Sequence, residues 1–179
     1  MRFLLRGHIV EVKFSIMMDY AVNPDLRKCM MTVLRNPAWV SFTWLGMTLG
    51  VSLLATPVRF TATLITRPVA LDVGRVVFAA LNKAEFVALV ITLIILRVSS
   101  GVRRLWVPVF LLALILIAQS AWLLPELAAR TDMIIAGLEP PPSIAHAAYS
   151  ILEITKLALL SYTGFQSLVI LRDQRKGSR

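Results

Sequence analysis

Cysteine is nearly absent from this chain, and charge is scarce. One cysteine, Cys29, stands among 179 residues, so no intramolecular disulfide can form and no multi-thiolate metal site can be built. There are two histidines, His8 and His146, and His8 falls outside every apolar block. A bis-histidine haem held between membrane helices is therefore excluded. Met17, Met18, Met30 and Met31 lie near Cys29 but lack the spacing of a thioether metal motif. No nucleophile elbow, HExxH, P-loop or GxGxxG occurs, and no nucleic-acid-binding module can be recognised. The chain thus reads as non-enzymatic, with no resident cofactor or metal and no nucleic-acid partner. Charged residues make up 16% of it, against about 25% in a soluble domain. With a mean hydropathy of +0.75, this excludes disorder and a collagen-like fibre and argues against a water-soluble globule.

What is present is a set of apolar blocks; 58% of the residues are hydrophobic. A membrane-crossing helix needs about 20 predominantly apolar residues. Four segments qualify: 38–64, 76–96, 105–124 and 144–171. Lipid offers no partner for backbone amides, and none of the blocks alternates as a barrel strand would. The expected fold class is all-α, an integral membrane antiparallel four-helix bundle. Thr66, Pro68 and Asp72 are placed in the first connection, and Arg97 to Arg104 in the second. The third begins at Pro125, with a helical continuation over ELAARTDMIIAGL. GLEPPPS then interrupts it, and Ser143 is the expected N-cap of the fourth helix.

Basic residues set an orientation. Thirteen lie on one side: Arg2, Arg6, Lys13, Arg27, Lys28, Arg35, Arg97, Arg103, Arg104, Arg172, Arg175, Lys176 and Arg179. Three (Arg67, Arg75 and Arg130) lie on the other. The net charge of +9 is therefore read as topology, with both termini cytoplasmic. The expected organisation is an N-terminal cytoplasmic segment 1–37, a transmembrane domain 38–171 and a basic tail 172–179. Positions 8–16 alternate like a strand. Met30 and Met31 precede the point where a compact membrane protein would begin, so a start downstream of Met1 is expected and an intact mass would test it.

The candidate site consists of polar residues inside these blocks, each costing about 2.5–3.5 kcal/mol at mid-membrane if unpartnered. Tyr149, Glu153 and Lys156 follow His146 at helical spacing, and Asn82 and Glu85 form a second stripe with Arg75. Lys83 points elsewhere. Arg59, Asn82, Glu85, His146, Glu153 and Lys156 are all assigned to the outer half of the bundle. The expected pairing sets Glu85 and Glu153 against Lys156 and Arg59, with His146 and Tyr149 nearer the outer mouth. Two readings stay open: a buried ion-pair network that fixes helix register, or a solute, proton or metal-ion site. Trp39, Trp44, Trp106 and Trp122 are read as interfacial anchors, and Gly46 and Gly50 as a close-approach motif.

The segments TPVRFTATLITRPVALDVGRVVFAALNKAEF, WLLPELAARTDM and AHAAYSILEITKLALL, with a basic turn after the first, resemble a four-helix membrane family. That family is a domain of unknown function in bacterial proteins and is similar to a small vertebrate transmembrane protein. The resemblance covers about 39–171. It implies a multi-pass protein of the bacterial inner (plasma) membrane and no established activity. The expected function is a non-enzymatic membrane component, embedded in the lipid bilayer and packing with itself or a membrane-protein partner. The alternative is a small permease or ion- or proton-coupled carrier acting as an oligomer.

Overall fold

A computed structural model describes residues 24–99 and 101–177. Among these residues all regular structure is helical. The chain divides into two units, 1–36 and 37–179. In the first, helix α1 (Pro24–Leu34) begins on a proline, which lacks only an N–H the first turn leaves unpaired anyway. Met30, Met31, Val33 and Leu34 on it are exposed. The alternating stretch 8–16 and the N-terminal methionines Met1, Met17 and Met18 lie outside the described residues.

The second unit contains four helices long and apolar enough to cross a membrane: α2 (Ala38–Arg59), α3 (Arg67–Val98), α4 (Arg103–Ile135) and α5 (Ala145–Gly177). At 1.5 Å per residue, even the 22-residue α2 reaches about 33 Å, enough for a hydrocarbon core of about 30 Å. Most of each apolar window faces outward; only 28–39% of it is buried. Leu53, Leu54, Val87, Ile94, Phe110, Ile154 and Phe165 all lie on this outer surface. Seven hydroxyl groups on the helices are satisfied within their own helix. Ser41, Thr92, Thr131, Thr155, Ser161, Thr163 and Ser167 each donate to the carbonyl four residues back.

The helix ends explain where the expected connections moved. Pro68 and Asp72 were placed in the first connection but belong to α3, because a proline at the first turn costs no hydrogen bond. Asp72 then pairs with Arg75 one turn later, and Arg75 also reaches Asp132 on α4. The α3–α4 turn uses Gly101 at φ +79°. The continuation past Pro125 is helical through Ile135, as its composition suggested. It closes with Gly137 at φ +77°. There Gly137 N–H donates to Ile134 O and Leu138 N–H to Met133 O, a Schellman ending. Ser143 Oγ accepts from Ala145 N–H at 3.1 Å and so caps the first turn as expected, though from one residue before Ile144, whose carbonyl takes the first helical bond. Helix α5 runs on through 172–177, so the basic tail continues that helix.

Two helices contain one wide turn each. In α2, Thr56 N–H donates five residues back to Val51 O; in α4, Leu124 N–H donates to Gln119 O. Both donors directly precede a proline, Pro57 and Pro125. A proline inside a helix removes one N–H and its ring collides with the carbonyl four residues earlier. Widening the preceding turn to an i→i+5 pattern moves that carbonyl aside without ending the helix. The wide turns occupy Gly50–Ala55 and Gln119–Leu123.

Apolar packing forms two clusters. One joins Trp44, Leu89, Leu96, Leu105, Leu112, Leu116 and Leu160; the other joins Leu123, Ala145 and Tyr149 with Phe78 and Leu127. Between them, in chain order, fall Glu85 on α3, Gln119 on α4, and Glu153 and Lys156 on α5. A polar layer is thus sandwiched between two apolar ones. Further along α5, beyond Leu160, Gly164 lets that helix approach α2: a Cβ on it would lie 2.8 Å from Phe42 Cζ. Phe42 also meets Phe165 edge-on at 5.5 Å.

Candidate functional site: a sealed Glu–Lys–Glu layer

Lys156 is the centre of the layer and is 0% exposed. Its ammonium has three N–H donors, and each finds an acceptor on a side chain. They reach Glu85 Oε1 at 2.7 Å, Glu153 Oε2 at 2.9 Å and Gln119 Oε1 at 3.1 Å. These partners come from α3, α5 and α4. The Glu153–Lys156 spacing puts acid and base on one face of α5, one turn apart. A buried charge is tolerated when paired and fully hydrogen-bonded, and this one is both.

Helix α2 completes the layer with neutral donors. Trp44 Nε1–H and Thr48 Oγ–H both donate to Glu85 Oε1 at 3.0 Å. Ser52 Oγ–H donates to Glu153 Oε1 at 2.6 Å. Gln119 Nε2–H donates to Glu153 Oε2 at 2.9 Å, so its amide bridges the base and one acid. Glu85 Oε1 alone therefore takes three donors, while Glu153 spreads three across two oxygens. Ser52 and Gln119 both belong to the wide turns described above. All four long helices contribute a side chain.

The structure brings together Glu85, Glu153 and Lys156, as their spacing suggested, but separates them from the other sequence candidates. Arg59 makes no ion pair with either glutamate. Its guanidinium lies across Gly74 and beside the rings of Phe60 and Phe78, 5.1 and 5.8 Å from Cζ. Asn82 accepts from Ser120 Oγ at 2.6 Å instead of entering the layer. Tyr149 is buried edge-on against Phe78 at 5.5 Å. His146 is exposed near the start of α5, because the buried face of that helix runs through its neighbour Ala145 to Tyr149 and Glu153 and leaves position 146 beside it. Lys83 is exposed, in keeping with its different heading.

Other residues carry roles that the sequence concealed. Trp44 is not an interfacial anchor; it is 1% exposed and donates into the layer, whereas Trp39, Trp106 and Trp122 are exposed. Gln119 is the one strongly polar residue of the 105–124 block, and the structure gives it two partners. Thr48 and Ser52 carry no signal beyond lying four and eight residues after Trp44. A Cβ added at Gly46 or Gly50 would meet nothing within 4 Å, so these glycines mediate no close approach within the chain. Among the described residues no group of three His, Cys, Asp or Glu side chains gathers as a metal site would require. Comparison with protein-family models, with curated proteins and with solved structures finds no match to this chain.

Proposed function

We propose that the protein is a non-enzymatic, multi-pass membrane component, an antiparallel four-helix bundle whose sealed ionic layer fixes the register of its helices. The observation that carries this reading is Lys156, fully buried with all three protons accepted by side chains of three helices. Such an arrangement has one geometry in which the ammonium meets both carboxylates and the amide at once. Sliding a helix by one turn, about 5.4 Å, would break several of these bonds at once. Supporting contacts run in opposite senses on neighbouring helices. Phe42 and Ser52 meet Gly164 and Glu153, while Arg75 and Asn82 meet Asp132 and Ser120.

In this reading the outward-facing leucines, isoleucines and phenylalanines contact lipid acyl chains, and the exposed face of the bundle is available to a second copy or a membrane-protein partner. The membrane is the bacterial inner membrane of the family the chain resembles, with both termini cytoplasmic on the strength of the thirteen-to-three distribution of basic residues. Alkaline-carbonate extraction tests membrane integration, and reporter fusions at each end test topology. Release by carbonate, or a terminus outside, would refute the corresponding part. A second reading, an ion- or proton-coupled carrier, draws on the two wide turns that supply Ser52 and Gln119 to the layer, since such turns recur at functional sites. Solute uptake into vesicles that disappears with Glu153→Gln while folded yield is unchanged would favour it.

A further inference from the structure

Two buried donors, one on α3 and one packed against it, have no acceptor among the described residues. They are Nε of Arg59 and Nδ2 of Asn82. The Asn82 carbonyl oxygen is already engaged by Ser120, which fixes the amide's orientation and leaves its NH2 as the open end. Gly74, Phe78 and Asn82 follow one another at four-residue intervals, along one line of α3. The Arg59 head lies at the Gly74–Phe78 end of that line. A Cβ on Gly74 would collide with Arg59 Nη1, so the absence of a side chain at 74 makes the room the guanidinium occupies. The rings of Phe60 and Phe78 flank the cation.

A cation within a membrane-spanning helix calls for a counter-charge. Arg59 forms no ion pair with any carboxylate of the described residues; the carboxylates that are paired serve Arg75 and Lys156. Position matters as well as charge. Arg59 is the last residue of α2, and the chain after it, 60–66, is exposed throughout. That is where a spanning helix meets the headgroups. A guanidinium offers planar, paired donors that match phosphate oxygens in spacing and charge.

We infer that Arg59, seated on Gly74 between the rings of Phe60 and Phe78, forms a binding site for a phosphate-bearing anion, supplied in the membrane by a lipid phosphodiester. The lipid source rests on the membrane reading above; the phosphate chemistry does not.

The test uses the full chain purified in a phosphate-free maltoside detergent. Native mass spectrometry counts retained phospholipid, phosphatidylglycerol is titrated back, and inorganic phosphate is titrated in a thermal-shift assay. The expected result is retention of about one phospholipid by the natural protein. Arg59→Gln and Gly74→Ala should each weaken phosphatidylglycerol binding by about ten-fold or more, the loss of one charge-assisted contact, with helix content unchanged. Stabilisation by inorganic phosphate without lipid retention would support the site and assign it to a soluble ligand. No response of the natural protein to either ligand, or equal affinity in Arg59→Gln, would overturn it. Should both variants fail to fold, the natural protein decides: equal retention of phosphatidylglycerol and uncharged diacylglycerol overturns the site, and preference for the phosphate upholds it. Release of the protein from membranes by carbonate would refute the proposed function while leaving the phosphate titration interpretable.

Discussion

Replacing Lys156 with methionine should be the most damaging single change in the ionic layer, and the donor count says by how much relative to its neighbours. Methionine fills a similar volume but leaves Glu85 and Glu153 without the ammonium that both contact, at 2.7 and 2.9 Å. Removing one partner of a buried ion pair costs about 3–5 kcal/mol. For a chain of this length that corresponds to a fall in melting temperature of roughly 6–20 °C. Glu153→Gln should be far milder, about 1 kcal/mol or less. The amide oxygen still accepts from Gln119 and Lys156, and the new NH2 can donate to Ser52, whose hydroxyl accepts as readily as it donates. Glu85→Gln falls between, at about 1–3 kcal/mol. Its Oε1 takes donors from Trp44, Thr48 and Lys156, and a neutral amide oxygen cannot serve three as well as a carboxylate does. The triple variant Lys156→Met, Glu85→Gln, Glu153→Gln removes every charge together and should recover most of the loss. Thermal unfolding in detergent, followed by circular dichroism, reads all five proteins. Glu153→Gln as harmful as Lys156→Met, or a triple variant no better than Lys156→Met alone, would refute the reasoning.

Trp44→Phe removes the indole donor to Glu85 while keeping an apolar ring, and should cost about 1–2 kcal/mol in the same unfolding assay. Gly164→Ala places a methyl group 2.8 Å from Phe42 Cζ and should destabilise by about 1–3 kcal/mol, whereas Gly46→Ala, with nothing within 4 Å, should leave the monomer's melting temperature unchanged. Ser143→Ala removes the acceptor for Ala145 N–H, and the first turn of α5 should exchange its amides faster, at a cost of about 0.5–2 kcal/mol.

The four long helices were legible because crossing a bilayer makes a simple demand, length in apolar residues, and the chain meets it in blocks. The ionic layer was half legible. Glu85, Glu153 and Lys156 stood out because charges inside apolar runs need partners, and an i,i+3 spacing showed that Glu153 and Lys156 share a face. The donors of α2 were hidden for a different reason. A tryptophan six residues into a span reads as an interfacial anchor, and threonine and serine are common in membrane helices, so neither announces a partner 37 or 101 positions away. The stripe was drawn through His146 because a step of three before Tyr149 fits helical periodicity as well as a step of four, and the buried face takes the step of four, to Ala145. Arg59 was assigned to the glutamates by depth alone, and the structure seats it on Gly74 instead.

The wide turns before Pro57 and Pro125 also bear on how the sequence can change. Each houses one more residue than an ordinary turn would, so each is in effect a stored insertion. Deleting a single residue from Gly50–Ala55 or Gln119–Leu123, with the proline that holds the turn open replaced by alanine, should let the helix close up while both flanks keep their facing. The same deletion elsewhere in α2 or α4 would rotate everything beyond it by about 100° and turn its buried face outward. Tolerance to length change is thus concentrated at two points, both on the rim of the ionic layer.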